Sequence, residues 1–280
     1  MKHLKQSQIA LSNFPYYKHS LTYTLDSLER LGAEAIELYA CDPHFHIDDC
    51  DLPQVRALKK MLRDRGLRPI CVTPEQVKYP INIASVNPVC RKRSMETYTT
   101  VIQYASELEC PTVQFFAGWG PLDEEYEKAW ARSVDSMGYL ANLAEGYGIT
   151  ITIESADRTL TVLTGTDRIR EMIDTVNSPN LHGMIDTVCL LACDETIEQA
   201  VANIGKEHIR HFHFSDVMMD HSTGDHIIPG EGTMDLPHVL QVMDDIEYSG
   251  YFSIELMSPY EKRAEEVMGK AADWLRAQLA

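Results

Sequence analysis

Four short β-rich runs in the second half of the chain end in groups able to hold a cation. Glu154 closes ITIES, Asp186 closes GMIDT, His213 lies in RHFHFSD, and Glu255 lies in FSIEL. Side chains alternate faces along a strand. Ile149, Ile151 and Ile153 therefore share one face, and Thr150, Thr152 and Glu154 the other. The same parity sets Met184 and Asp186 against Ile185, His211, His213 and Ser215 against Phe212 and Phe214, and Ser253 and Glu255 against Ile254. If the apolar faces meet helices, the four polar groups converge. Three clustered carboxylates without a cation repel one another and are driven to take up protons. A divalent ion removes that cost. Three oxygens and one imidazole suit Mn2+ first, with Co2+, Mg2+ or Zn2+ also compatible, and the set is too rich in oxygen for a structural zinc site.

Such a site suggests a definite reaction. A substrate held through a carbonyl and the neighbouring hydroxyl would have that carbonyl polarised. The adjacent C–H then becomes acidic enough for a carboxylate to remove its proton. With Glu154 on one side and Glu255 on the other, one takes the proton and the other returns it from the opposite face. The outcome is epimerisation through an enediolate, with no redox cofactor. Taken singly, a strand-end Glu reads as a solvated loop residue and an inward His as a packed one; four in register read as a shared site. His211 reads as support for His213 or as packing, and Cys189 and Cys193 as packing. No phosphate-binding loop, dinucleotide fingerprint or nucleophile elbow is present.

The elements that must position these groups are legible. Eight β-rich runs begin near residues 8, 33, 68, 112, 149, 181, 209 and 251. Helical patterns fill the gaps. Leu21, Leu25, Leu28 and Leu31 keep one face before Gly32, and Asp51 and Pro53 start a helix carrying Val55, Leu58 and Leu62 before Gly66. Met95, Tyr98, Ile102 and Ala105 form a third stripe. Trp130, Val134, Met137 and Ala141 form a fourth, closed by Gly148. Asp235 caps a helix with Val239, Val242 and Ile246, and a final helix starts near Tyr260. Eight strand–helix units in 280 residues predict an α/β fold, a (β/α)8 TIM barrel. A doubly wound open sheet is the alternative, and the first βα turn lacks its glycine fingerprint. No linker or composition step divides the chain, so residues 1–280 read as one domain. The stretches 74–87 and 217–233 are longer than routine connections and follow strand ends, where a barrel builds its active site.

Hydrophobic residues make up 44% and charged residues 24% of the chain, which excludes wholesale disorder. A formal charge of −17 argues against nucleic acid and anionic membranes as partners. The seven cysteines are odd in number and none forms a C-x-x-C pair, which suggests a reducing, cytoplasmic compartment. The N-terminus does not read as a signal peptide, and no window approaches the apolar length of a membrane span. Homo-oligomerisation is compatible with an acidic chain of this size but is not readable from it.

At these residues the sequence resembles the xylose-isomerase-like barrel superfamily of sugar isomerases and epimerases. HFHFSDVMMDHSTGDHIIPGEGTMDL from His211 and PICVTPEQVKYPINIAS from Pro69 resemble its fructoselysine 3-epimerase branch more than the tagatose/psicose 3-epimerases, as do ELYACDPHFH and IELMSPY. The resemblance implies Glu154, Asp186, His213 and Glu255 as metal ligands, and Glu154 and Glu255 as the acid/base pair. It also implies a small-molecule sugar substrate, a ketose or an amine-conjugated fructose, epimerised at C3. Two positions depart from the tagatose-type pattern. Cys189 replaces a histidine three residues after the aspartate ligand, and an expected arginine is unmatched near Met219. His226 is then a replacement donor, and Glu75, Tyr79, His44 and Arg158 are candidates to line the mouth. Glu231 reads equally as turn-stabilising or substrate-contacting, and Trp119 as stacking on the sugar, shielding it or packing. A keto–aldo isomerase, dehydratase or C-glycoside-cleaving enzyme would use the same site. A repair endonuclease would need further histidines and a basic face. A non-catalytic sugar-binding barrel would not need two acid/base groups.

Overall fold

Each β-rich run forms a strand. A computed structural model describes residues 1–76, 81–224, 226–257 and 259–280. Its strands are β1 (Ile9–Ser12), β2 (Ala35–Ala40), β3 (Arg68–Pro74), β4 (Thr112–Phe115), β5 (Thr150–Ile153), β6 (Leu181–Asp186), β7 (Ile209–Phe214) and β8 (Phe252–Ile254). Every neighbouring pair is parallel, and β8 returns to β1 with Ile9 opposite Phe252 and Ala10 opposite Ser253, so the sheet is a closed barrel in sequence order. The open doubly wound sheet is thereby excluded.

The helices are α1 (Leu21–Arg30), α2 (Leu52–Asp64), α3 (Pro88–Glu107), α4 (Tyr126–Tyr147), α5 (Thr166–Val176), α6 (Thr187–Ala192), α7 (Ile197–Ile204), α8 (Leu236–Asp245) and α9 (Ala264–Gln278). The cap residues act as their chemistry dictates. Asp51 accepts the Gln54 N–H at 3.0 Å while Gln54 accepts the Asp51 N–H at 2.8 Å. Asp235 accepts from His238 N at 3.1 Å, and Gly148 ends α4 in the left-handed conformation at φ 67°. Two details differ from expectation. The last helix starts at Ala264 because the preceding turn, Glu261–Arg263, is wound more tightly, with Arg263 N bonded to Tyr260 O. Between β6 and β7 the chain makes two short helices, α6 and α7, of 6 and 8 residues, too short to show a long apolar stripe.

The strand parity is realised in the packing. Ile151, Ile153, Ile185, Phe212, Phe214 and Ile254 belong to the large apolar core that includes the helix stripes. A second, smaller cluster of Ala10, Ala35, Ile70 and Cys71, with Tyr251 packed on it, comes from β1, β2 and β3. Towards the C-terminal end the inward positions Glu37, Gln114, Glu154, Asp186, His213 and Glu255 are polar and buried. No helix of the described residues is long and apolar enough to cross a membrane.

Candidate functional site

Glu154 follows β5 directly, Asp186 ends β6, His213 lies in β7 and Glu255 follows β8. All four are buried, between 2% and 7% exposed. Asp186 is opposite His213 in the β6–β7 register, and His213 is opposite Ser253 in the β7–β8 register. The barrel therefore brings the four expected groups together. Nδ1 of His213 lies 2.7 Å from Glu255 Oε2, 3.6 Å from Glu154 Oε1 and 3.7 Å from Asp186 Oδ2. The other oxygen of Asp186 caps α6, accepting from Val188 N at 2.5 Å and Cys189 N at 3.4 Å.

A residue that the sequence reading did not single out sets the imidazole. Glu37, in β2, is fully buried, with its oxygens 2.8 Å from His211 Nε2 and 2.9 Å from His213 Nε2. Thr73 donates to it as well, at 2.5 Å. A carboxylate accepts, so Nε2 of each histidine carries a proton, and in the neutral ring Nδ1 of His213 then presents its lone pair to the carboxylate cluster. His211 thus supports the arrangement from below. The signal was available: Glu37 is a lone charge between Ile36 and Leu38, on the inward parity of β2. Gln114, between Val113 and Phe115 of β4, carries the same signal, and its amide donates to Glu154 Oε2 at 2.9 Å.

The electrostatics follow from burial. Burial raises the Glu154 carboxyl above its usual range, with the charges of Asp186 and Glu255 acting in the same sense. Burial also acts to raise Asp186, but the His213 imidazole and the charge of His226 hold it below its usual range. Burial opposes protonation of His213, yet the surrounding carboxylates, Glu255 and Glu37 foremost, raise its affinity for a proton well above that of a free imidazole. The cluster calls for positive charge. Three of the six buried side-chain polar atoms without a hydrogen-bond partner among the described residues are Glu154 Oε1, His213 Nδ1 and Glu255 Oε2. One ligand atom each from Glu154, Asp186 and His213 lies within 4.8 Å of the others, as does one each from Asp186, His226 and Glu255. This donor set fits a divalent cation.

The mouth residues divide. His226 reaches the cluster, with Nδ1 3.7 Å from Glu255 Oε2 and 3.3 Å from Ser215 Oγ. Glu75 accepts from the Tyr39 hydroxyl; Tyr39 stacks on Phe14 at 4.6 Å, and Phe14 meets the His213 ring edge-on at 5.9 Å. His44 does not serve as a free mouth donor. Its Nδ1 meets Asn13 Nδ2 at 2.8 Å, and its Nε2 meets the His19 carbonyl at 2.9 Å, so fold contacts use both nitrogens. Arg158 is exposed and lies over the Tyr126 ring at 5.9 Å rather than beside the carboxylates. Tyr79 lies outside the described residues. Glu231 is exposed, 3.9 Å from Lys270 on α9. Trp119 is 42% exposed, and its backbone N–H and carbonyl are both held by Asn82, at 3.0 and 2.8 Å. Burial raises the Cys189 thiol well above its usual range, and Glu154, Asp186 and Glu255 reinforce that, so it stays a neutral thiol beside them.

Asp216, just past β7, organises the long loop that carries His226. Its carboxylate accepts backbone N–H groups from Val217 and Met234 on one oxygen and from Gly230 and Gly232 on the other, at 2.8, 3.2, 2.9 and 3.0 Å. A Cβ at Gly232 would lie 2.4 Å from that carboxylate and 2.6 Å from the Val217 carbonyl, so only glycine permits the approach.

A closed parallel barrel with an acid-rich mouth defines the class, and the comparisons give the family: residues 25–278 match the xylose isomerase-like TIM barrel model, and the chain belongs to that family. It is 24% identical over 250 residues to a fructoselysine 3-epimerase of Shigella flexneri, covering 89% of this chain and 90% of that protein. Its fold matches a D-psicose 3-epimerase crystallised with D-tagatose, from Clostridium cellulolyticum H10, with a TM-score of 0.80 at 19% identity, over 97% of this chain and 99% of that one. It also matches the IOLI protein with a bound zinc atom, with a TM-score of 0.80 at 18% identity, over 97% and 98%. With relatives named as epimerases and isomerases, the chain is an enzyme of that kind.

Proposed function

We propose that this chain is a metal-dependent epimerase that inverts C3 of a ketose or ketose conjugate, with Glu154 and Glu255 as its acid/base pair. The observation that carries the reading is the convergence of Glu154 Oε1, His213 Nδ1 and Glu255 Oε2, each buried and without a hydrogen-bond partner, beside Asp186. Glu154, Asp186, His213 and Glu255 would hold the cation, Mn2+ in the first instance, with Co2+, Mg2+ or Zn2+ as alternatives suited to the same donors. When bound, that ion supplies polarisation of the substrate carbonyl. Glu154 and Glu255 come from the ends of β5 and β8, with the strands of Asp186 and His213 between them, an order that supports a reading in which the two carboxylates flank the substrate. One removes the C3 proton, the enediolate is held between them, and the other delivers a proton to the opposite face.

An amine-conjugated fructose is the favoured substrate, on the likeness to fructoselysine 3-epimerases over 89% of the chain. His226 is the candidate donor to a sugar hydroxyl, and Glu75, linked to Phe14 through Tyr39, lies where a substrate ammonium would be welcome. A reducing cytoplasmic setting and a small-molecule partner belong to the same reading.

The test is incubation of Mn2+-loaded protein in D2O with D-fructose, D-tagatose, D-psicose and fructosyllysine, followed by NMR. Deuterium at C3 with the inverted product, and no loss of water or leaving group, is expected. Elimination or aldose formation without C3 exchange would replace epimerisation by another reaction of the same site.

A further inference from the structure

Tyr98, Gln76 and Gln114 are buried polar side chains with no part in the chemistry above. The Phe116 backbone N–H donates to Gln76 Oε1 at 3.0 Å, and the Tyr98 hydroxyl donates to the same oxygen at 2.5 Å. A backbone N–H cannot become an acceptor, so the oxygen end of Gln76 is fixed and its Nε2 must face Gln114. That Nε2 donates to Gln114 Oε1, which fixes the second amide in turn. Gln114 Nε2 then donates to Glu154 Oε2 at 2.9 Å. Glu154 Oε1 is left with no partner.

We propose that Gln76 and Gln114 form a directional amide relay, anchored on the Phe116 N–H, that selects which oxygen of Glu154 faces the site. Both are positioning residues, and the inference rests on the reading of Glu154 as cation ligand and acid/base group. The physical need is clear. A side-chain amide can present either its oxygen or its nitrogen, and a buried carboxylate can turn about its terminal bond. If Gln114 presented its oxygen, two oxygens would face each other in a buried site. With the relay set, Oε2 is pinned by a donor and Oε1 alone is available to cation and substrate. The relay links groups from the end of β3, from β4 and from the end of β5.

The test compares wild type with Gln114→Met and Gln76→Met, both close to the original volume. Three quantities are read: Mn2+ affinity by calorimetry without substrate, kcat and KM for C3 deuterium exchange into fructosyllysine, and Tm. A hydrogen bond to a charged group is strong enough that losing it should cost Gln114→Met about tenfold or more in both Mn2+ affinity and kcat. KM should hold within about threefold. Gln76→Met leaves the Gln114 donor in place without its anchor, so it should shift the same quantities in the same direction by less. Gln114→Met with Mn2+ affinity and kcat within about twofold of wild type overturns the relay. So do equal losses in the two variants that track equal losses in Tm, because packing alone would then explain them. Should Gln114→Met fail to fold, Gln76→Met decides: a fall in Mn2+ affinity and kcat at wild-type Tm supports the relay, and unchanged values overturn it. Wild type that neither binds Mn2+ nor exchanges hydrogen removes the underlying reading of Glu154, a result distinct from an active wild type with a silent Gln114→Met.

Discussion

Glu255 Oε2 stands 2.7 Å from Nδ1 of His213, and neither atom has a hydrogen-bond partner of good geometry. Because Glu37 accepts the Nε2–H of His213, Nδ1 of the neutral ring faces Glu255 with its lone pair. Two electron-rich atoms at that distance, with Glu154 and Asp186 close by, need a positive charge between them. A divalent cation, or a second proton on the imidazole, supplies it.

Cation binding should therefore stabilise the fold. A ligand present at one hundred times its Kd contributes about 2.7 kcal/mol, which for a chain of this size corresponds to a rise in Tm of several degrees. Calorimetric scans with Mn2+ and then with excess EDTA check this. The Asp186→Asn variant should lose most of the metal-dependent rise. A Tm indifferent to Mn2+, Co2+, Mg2+ and Zn2+ would contradict the cation reading.

Glu37 should matter without touching substrate. Its carboxylate fixes the ring orientation of both His211 and His213. Groups that orient metal-bound histidines typically contribute 10–100-fold in affinity. Glu37→Gln, which keeps the shape and halves the accepting capacity, should weaken Mn2+ binding by about tenfold or more in titration calorimetry. Equal affinity in the variant would count against this role.

The two acid/base carboxylates should fail differently. Glu154→Gln and Glu255→Gln should each lower epimerisation by about 10²–10⁴-fold. A variant lacking only the base for one epimer can still exchange the C3 hydrogen of the other. Exchange in D2O, measured from each epimer separately, should therefore be lost from one side in Glu154→Gln and from the other in Glu255→Gln. Unchanged turnover in Glu255→Gln would exclude that residue from proton transfer.

The loop bearing His226 should depend on Asp216. Asp216→Ala leaves four backbone N–H groups without their acceptor. The Val217 N–H is buried and the other three are partly exposed, so losing the acceptor costs about 1–3 kcal/mol at Val217 and less where water can replace it. The expected result is faster proteolysis within residues 217–234 and a raised KM. Resistance equal to wild type would show that the loop holds itself.

Acid stability offers a check far from the site. Asp244 accepts N–H groups from Lys2, His3 and Leu4 at 2.9, 2.7 and 2.8 Å. Burial would raise its carboxyl, but these three donors outweigh that and bring it down to about 2. A depressed folded-state value gives stability that is complete above the unfolded value near 4 and is lost as pH falls towards 2. Asp244→Asn should therefore be less stable by about 2 kcal/mol at pH 7, with the gap closing between about pH 4 and 2. Denaturant titrations across that range measure it; a gap constant with pH would assign the loss to packing instead.

Local pattern alone settled a good deal. Alternating apolar residues told which way Glu154, Asp186, His213 and Glu255 turn, because a strand has a period of two and its apolar face must leave water. Counting strand–helix units pointed to a barrel, and the caps at Asp51 and Asp235 follow from side-chain oxygens meeting unsatisfied helix N–H groups. The closure of β8 on β1 was a different matter, since it depends on pairing between residues over 240 positions apart. Glu37, Gln76 and Gln114 come from the first half of the chain, and only the closed ring sets them against His213 and Glu154. His44 and Arg158 show the converse: both types suit a sugar site, but Asn13 and the His19 carbonyl occupy one and the Tyr126 ring neighbours the other. Residue type and parity fix what a side chain offers and which face it takes, whereas its partner is chosen by the three-dimensional packing of distant segments.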